Sequence, residues 1–120
     1  MVTQNDIEIA ASKSDKIWYV YLLLCADGTV YCGITTDITR RLGEHNRGRG
    51  ARYTRGRAPI VLLGHAPFLG RGEAQRVEYR IKQQPTSRKL ALLASLGGDG
   101  FVAHYAASAP AEGISWKKLK

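Results

Sequence analysis

Acidic residues are scarce in this chain, and so are cysteine, proline and any long apolar run. Ten Asp and Glu stand against 18 Lys and Arg, a net charge of +8 over 120 residues, with a pI near 9.8. That imbalance favours a polyanionic partner. Two cysteines are too few for a disulfide framework, and no His/Cys spacing reads as a zinc site. No apolar run approaches the roughly 18 residues of a membrane span, and the N-terminus lacks the apolar core of a signal peptide. The sequence therefore predicts a cytoplasmic protein with no membrane segment. A phosphate-cradling glycine loop of the P-loop or Rossmann kind is also missing, which disfavours an enzyme acting on a small phosphorylated molecule. The length allows one domain with one small core.

What is present begins at residue 17. Residues 17–25 are almost all β-branched, aromatic or Leu, and 29–32 continue that bias after Ala26-Asp27-Gly28. The loop length fixes the register. A two-residue Asp27-Gly28 loop would put Tyr21 and Tyr31 on opposite faces, because side chains alternate with period two. A three-residue loop with Gly28 left-handed pairs Cys25 with Thr29, Leu23 with Tyr31 and Tyr21 with Gly33. Both tyrosines then share a face. Glycine at the third loop position suits that geometry, so the three-residue loop is expected. Cys25 and Cys32 fall on opposite faces and read as two reduced, half-buried thiols.

A short helix follows. Thr35, Thr36 and Asp37 supply N-cap chemistry, and Ile38, Arg41, Leu42 and His45 form one stripe at i, i+3, i+4 and i+7. An arginine in an apolar stripe needs a reason, since an unpaired buried charge is expensive. Taken alone, Arg41 reads as a snorkelling edge residue and His45 as a solvated cation at the helix end. Their company with two tyrosines makes that reading weaker.

Residues 47–57, RGRGARYTRGR, hold Arg47, Arg49, Arg52, Arg55 and Arg57 with three glycines, Tyr53 and no acid. The bland reading is a solvated loop. Arginine forks match phosphate oxygens and glycine lets backbone come close, so these five arginines are expected to contact nucleic acid. Tyr53 either stacks on a base or pins the loop to the domain. The apolar run 59–66 reads as a third, central strand ending at Pro67, and His65 near its end as a satisfied strand residue. Residues 71–83 read as a helix burying Ala74, Val77 and Ile81, with Glu78 flanking that stripe and within i, i+4 reach of Lys82. A last helix follows Pro85, capped by Thr86 or Ser87 and covering the sheet with Leu90, Leu93 and Ala94. One more short strand is allowed near residues 101–105.

Residues 17–93 resemble the GIY-YIG nuclease domain. The two tripeptides that give that superfamily its name appear as Tyr19-Val20-Tyr21 and Tyr31-Cys32-Gly33. Arg41, His45 and Glu78 match the family's arginine, histidine and later glutamate. Tyr19 stands where many members have Gly, and Cys32 where they have Ile or Val, both strand positions where size can vary. The resemblance is to the small, single-domain bacterial members. It implies an α+β fold, a small three-stranded antiparallel sheet with helices packed around it. The organisation then reads as a flexible leader over 1–16, the nuclease-like domain over 17–97 and a C-terminal extension over 98–120 ending in a basic tail at Lys117, Lys118 and Lys120.

The implied activity is metal-dependent hydrolysis of phosphodiester bonds in DNA, with RNA not separated from it. Glu78 would anchor one Mg²⁺ or Mn²⁺, which keep several waters, and Arg41 would hold the scissile phosphate. Tyr21 or Tyr31 would take the proton of the attacking water, Tyr21 being favoured. A phenol with a pKa near 10 is a poor base at neutral pH, so protonated His45, Arg41 and the metal are expected to favour its ionised form. His45 would tune or relay that proton. Gly33 is expected where the hairpin backbone runs close to the helix. Nothing in the sequence reads bases, so selection by structure (single strands, flaps or nicks) is expected, in repair or recombination. The alternative is a non-catalytic basic nucleic-acid-binding protein using the same fold.

Overall fold

A computed structural model of the chain describes residues 16–104. The leader as far as residue 15 and the basic tail at Lys117, Lys118 and Lys120 lie outside the described residues. Three helices sandwich an antiparallel sheet. β1 (Ile17–Leu24) and β2 (Val30–Thr35) form the hairpin, followed by α1 (Ile38–Asn46) and a single 3₁₀ turn at Arg52–Thr54. β3 (Val61–Leu69), α2 (Arg71–Lys82), α3 (Thr86–Gly97) and β4 (Val102–Ala103) complete the order.

The hairpin has the three-residue loop. Cys25 N–H donates to Thr29 O at 2.8 Å and Gly28 N–H to Cys25 O at 2.9 Å. Gly28 takes φ 86°, open to glycine without steric cost. The resulting register sets Leu23 opposite Tyr31 and Tyr21 opposite Gly33. Asp27 locks the turn by accepting from the Thr29 N–H and hydroxyl at 3.1 and 2.6 Å. Cys25 and Cys32 are both free and buried, on opposite faces.

The sheet has four strands in the order β2-β1-β3-β4, not three. The extra strand is the one allowed near residues 101–105. Phe101 packs against the core and brings Val102 and Ala103 to the open edge of β3, where they pair with His65 and Gly64. β3 also runs past Pro67 to Leu69. Proline fits a strand only where its nitrogen owes no ladder bond, and β4 covers only Gly64 and His65. A bulge between Leu22 and Leu23 shifts the β1–β3 register, so that Leu63 shares a face with Ala66 and Phe68 in spite of the odd spacing between them.

One face of the sheet is wholly apolar. Val20, Leu22, Leu24, Val30, Cys32, Leu63, Ala66 and Phe68 pack there against Ala74, Val77 and Ile81 of α2 and Leu93 of α3. The α2 stripe is the one its spacing predicts. α3 starts at Thr86 with neither Thr86 nor Ser87 capping it through a side chain, because Pro85 holds the cap position. The other face carries Tyr21, Leu23, Cys25 and Ile60, covered by Ile38 and Leu42 of α1. Asn46 ties the end of α1 to the residue before β3, donating to Ile60 O at 3.1 Å and accepting from Ile60 N–H at 2.7 Å.

Candidate active site

The face beneath α1 holds the polar residues. Asp37 caps the helix, accepting from Arg40 N–H at 3.0 Å, which fixes where the stripe Ile38, Arg41, Leu42 and His45 begins. Ile38 and Leu42 then pack on Leu23 and Leu62, and His45 points inward with no exposed surface. The rings of Tyr21, Tyr31 and His45 form a triangle with centroid separations of 6.2, 5.8 and 5.3 Å. The Tyr21 hydroxyl lies 2.8 Å from His45 Nε2.

A chain of hydrogen bonds fixes the protons here. His45 Nδ1 lies 2.7 Å from Thr54 Oγ1, and Thr54 Oγ1 donates its own proton to Ala51 O at 2.9 Å. A hydroxyl has one proton to give, so Thr54 must accept from Nδ1–H. The imidazole is then the Nδ1–H tautomer, and its bare Nε2 accepts from the Tyr21 phenol. Burial pushes the His45 pKa down to about 4, helped by the Arg41 charge. The expected imidazolium is therefore corrected: desolvation disfavours a second proton on an enclosed ring, and His45 is neutral.

At the phenols, too, enclosure opposes the ionised form that the cations and the metal are expected to favour. Burial raises the Tyr21 pKa, Tyr31 raises it further, and Arg41 only partly offsets this. Tyr31 is half-buried and also raised, chiefly by burial, with Lys82 lowering and Glu78 raising it. Desolvation outweighs the cations at both phenols. The proton acceptor that Tyr21 has at hand is His45.

Gly33 is needed for a different reason from the one expected. A Cβ there would sit 2.5 Å from the Tyr21 hydroxyl and 2.8 Å from the Tyr31 ring. The two phenols, not the helix, occupy the space above the strand. Gly50 plays the same part on the other side, since a Cβ there would overlap the His45 ring. The sequence gives no reason to single out Thr54, and it reads Gly50 only as one of three glycines that let backbone approach a phosphate. Their only signal is a small residue and a hydroxyl inside an otherwise basic run.

That run is folded rather than loose. Thr54 is fully buried, while Tyr53 stacks on Tyr31 at 5.7 Å. Arg57 lies over the Tyr53 ring at 4.4 Å, pairs with Asp27 of the hairpin turn, and accepts from Ala26 N–H at 2.7 Å. Tyr53 and Arg57 thus pin the loop to the hairpin. Arg47, Arg49, Arg52 and Arg55 are exposed and, among the described residues, have no carboxylate partner.

Arg41 is held by Glu44 at 2.8 Å, which also pairs with Arg40 at 2.8 Å. These are i, i+3 and i, i+4 pairs at the solvent boundary, where water and salt screen the attraction, so an arriving anion can displace them. Glu78 of α2 is near enough to Tyr31 of β2 for its charge to be felt there. Its carboxylate pairs with Lys82 at 3.3 Å, and Lys82 Nζ stands 5.8 Å from the Tyr31 ring centre. The i, i+4 pair allowed by the sequence is thus formed, and it too is weak. Among the described residues no three His, Cys, Asp or Glu side chains cluster as metal ligands. Glu78 offers a single carboxylate, which suits a hydrated cation such as Mg²⁺ or Mn²⁺ and not zinc.

Beside the triangle, His65 Nδ1 and His104 Nε2 are 2.8 Å apart with stacked rings. Tyr19 meets His65 edge-on at 5.6 Å. These three line a cavity of about 460 Å³ at the start of α1, with Asp37 and Leu62.

Comparison with known proteins decides the family. The model of the GIY-YIG catalytic domain matches residues 17–91. The chain belongs to the GIY-YIG family. A UPF0213 protein of Nitratidesulfovibrio vulgaris is 73% identical over 104 residues, 87% of this chain and 94% of that one. A UPF0213 protein of Halobacterium salinarum is 53% identical over 74 residues, 62% of this chain and 96% of that one. The solution structure of a Bacillus halodurans UPF0213 protein is 43% identical, covers 70% of this chain and 89% of that one, and superposes with a TM-score of 0.43. GIY-YIG is a nuclease superfamily, and the domain implies interaction with nucleic acid. No helix among the described residues is long and apolar enough to cross a membrane.

Proposed function

We propose that this GIY-YIG protein is a divalent-metal-dependent endonuclease that hydrolyses DNA phosphodiester bonds. It would select single-stranded, flap or nicked DNA in repair or recombination. The observation that carries the reading is the Tyr21–His45–Thr54 chain, which leaves a neutral imidazole nitrogen 2.8 Å from a buried phenol. A structural core has no need of that arrangement, whereas general-base catalysis does.

Each residue then has a task. The attacking water passes its proton to the Tyr21 oxygen while the Tyr21 proton moves to His45 Nε2, so that no free phenolate has to form. Tyr31, the more exposed phenol, orients the water. Arg41 leaves Glu44 to hold the scissile phosphate and offset its growing charge. Glu78 would hold one Mg²⁺ or Mn²⁺ once Lys82 swings away, and that ion, when bound, would supply Lewis-acid charge at the phosphate. The exposed Arg47, Arg49, Arg52 and Arg55 would take flanking phosphates, with Arg57 and Tyr53 keeping the loop in place. Two free thiols are in keeping with a cytoplasmic setting.

The test is incubation with labelled single-stranded, duplex and branched DNA, and with RNA, in Mg²⁺ or Mn²⁺ against EDTA. Metal-dependent products from the wild type are expected, with Arg41→Ala slowed roughly 100- to 1,000-fold and Glu78→Ala inactive. Binding without any metal-dependent product would leave the non-catalytic binder in its place.

A further inference from the structure

α2 carries a second feature that the Tyr21 site does not use. Its outward positions Gly72, Gln75, Arg76, Tyr79 and Arg80 line a shallow groove of about 500 Å³. Tyr79 is 67% exposed, more than any other large apolar or aromatic side chain described. Arg76 and Arg80 have no carboxylate partner among the described residues. The two acids of the helix are engaged elsewhere. Glu73 accepts from Leu69 N–H at 3.4 Å, and Glu78 pairs with Lys82. A single exposed tyrosine is ordinary. One flanked at i−3 and i+1 by unpaired guanidiniums, above a glycine, is a stacking surface with cations at its border.

We propose that this face of α2 holds a single-stranded stretch of nucleic acid, one base stacked on Tyr79 and its phosphates on Arg76 and Arg80. The proposal takes its ligand class from the nuclease reading of the Tyr21 site. Three observations lead to it. Charge on the strip is of one sign. An unpaired base alone shows a free face to a phenol, since in a duplex both faces are stacked. The strip also borders Glu78 and Lys82, the residues of this helix that reach towards Tyr31. Tyr79 follows Glu78 at about 100° around the helix, roughly 10 Å along its surface. Tyr31 touches the arginine loop through Tyr53 and α2 through Lys82. A strand lying along the loop arginines and over Tyr31 would leave the site across Tyr79.

Fluorescence anisotropy in EDTA, with a labelled oligothymidylate and a duplex of equal length, tests this on the full chain. Tyr79→Ala should weaken single-strand binding roughly 5- to 100-fold and change duplex binding less than about two-fold, and Tyr79→Trp should restore it. Arg76→Ala with Arg80→Ala should weaken both and lower the salt dependence by about two phosphate contacts. Unchanged single-strand affinity in Tyr79→Ala would overturn the proposal. An equal loss for duplex and single strand would also overturn it, in favour of a phosphate-only contact, and so would strip variants that alter self-association alone. Catalysis plays no part in this measurement. Tyr79-dependent binding by a protein that never cleaves would sink the nuclease reading and keep the strip, and cleavage with Tyr79-independent binding would do the reverse.

Discussion

The two faces of one sheet are built on opposite terms, although the same strands supply both. Beneath α2 and α3, Val20, Leu22, Leu24 and Leu63 meet other apolar groups, and any shape that fills the volume will serve. Beneath α1, Tyr21, His45 and Thr54 are just as buried, yet each is held by a bond with a direction and a proton with an assigned place. The first face stores stability. The second gives up apolar contact to keep a phenol against a neutral imidazole. Adjacent residues of β1 belong to different regimes, because a strand turns successive side chains to opposite sides.

Substitutions on the two faces should therefore separate rate from stability. The largest effect is expected from Tyr21→Phe, which keeps the ring and removes the proton. Cleavage should fall about 100- to 10,000-fold, while chemical denaturation registers a loss of only about 1 kcal/mol. A Tyr21→Phe variant that cleaves normally would erase the distinction between the faces. Leu63→Ala is the converse. Denaturant unfolding should show a loss of about 2–5 kcal/mol, and the fraction still folded should keep the wild-type pH dependence of cleavage. A shifted pH profile there would mean that the apolar face also tunes the site.

Acid should act on the polar face alone. His45 holds its pKa near 4 in the folded chain, against about 6.5 when unfolded. The unfolded chain thus binds the extra proton between those values, and stability falls as the pH drops from about 6.5 towards 4. The loss amounts to roughly 3 kcal/mol. Unfolding of His45→Gln across that window should lack this component, and an equally steep acid loss in the variant would rule out His45 as its source.

A smaller effect belongs to Thr54→Val. It strips the acceptor from Nδ1–H and should lose about 1–2 kcal/mol together with the tautomer preference, read from the ¹⁵N shifts of the His45 ring. Thr54→Ser should restore both. A stability loss in Thr54→Val without any change in those shifts would reduce Thr54 to a packing residue. The smallest change is Asp27→Ala, which frees Arg57 from an exposed ion pair. It should cost less than Thr54→Val does, and less still in high salt. A loss that persists undiminished in high salt would show that the Asp27–Thr29 turn bonds, and not the pair, set its value.

Much of the hairpin was legible in advance because its rules are local. Gly28 set the loop length, the loop set the register, and the register put Tyr21 and Tyr31 on one side. The stripe of α2 was legible through its 3.6-residue period. The fourth strand was harder, since two residues carry little pattern and pair only because Phe101 is anchored in the core. Gly50, Thr54 and the Arg57–Asp27 pair were invisible for another reason. Each matters through a partner from 5 to 30 positions away that no local rule names.

The sequence by itself determined the element order, the alternation that divides β1 between two faces, and the basic excess that calls for a polyanion. Tertiary structure alone decided the protonation states. Charge counting favours cations around the phenols, but enclosure of His45 and Tyr21 removes the water that would support a charge. At Tyr21 desolvation outweighs the neighbouring guanidinium, and at His45 the two act together. Solvent exclusion depends on which distant segments close over a side chain, and that is a property of the fold and not of any short stretch of residues.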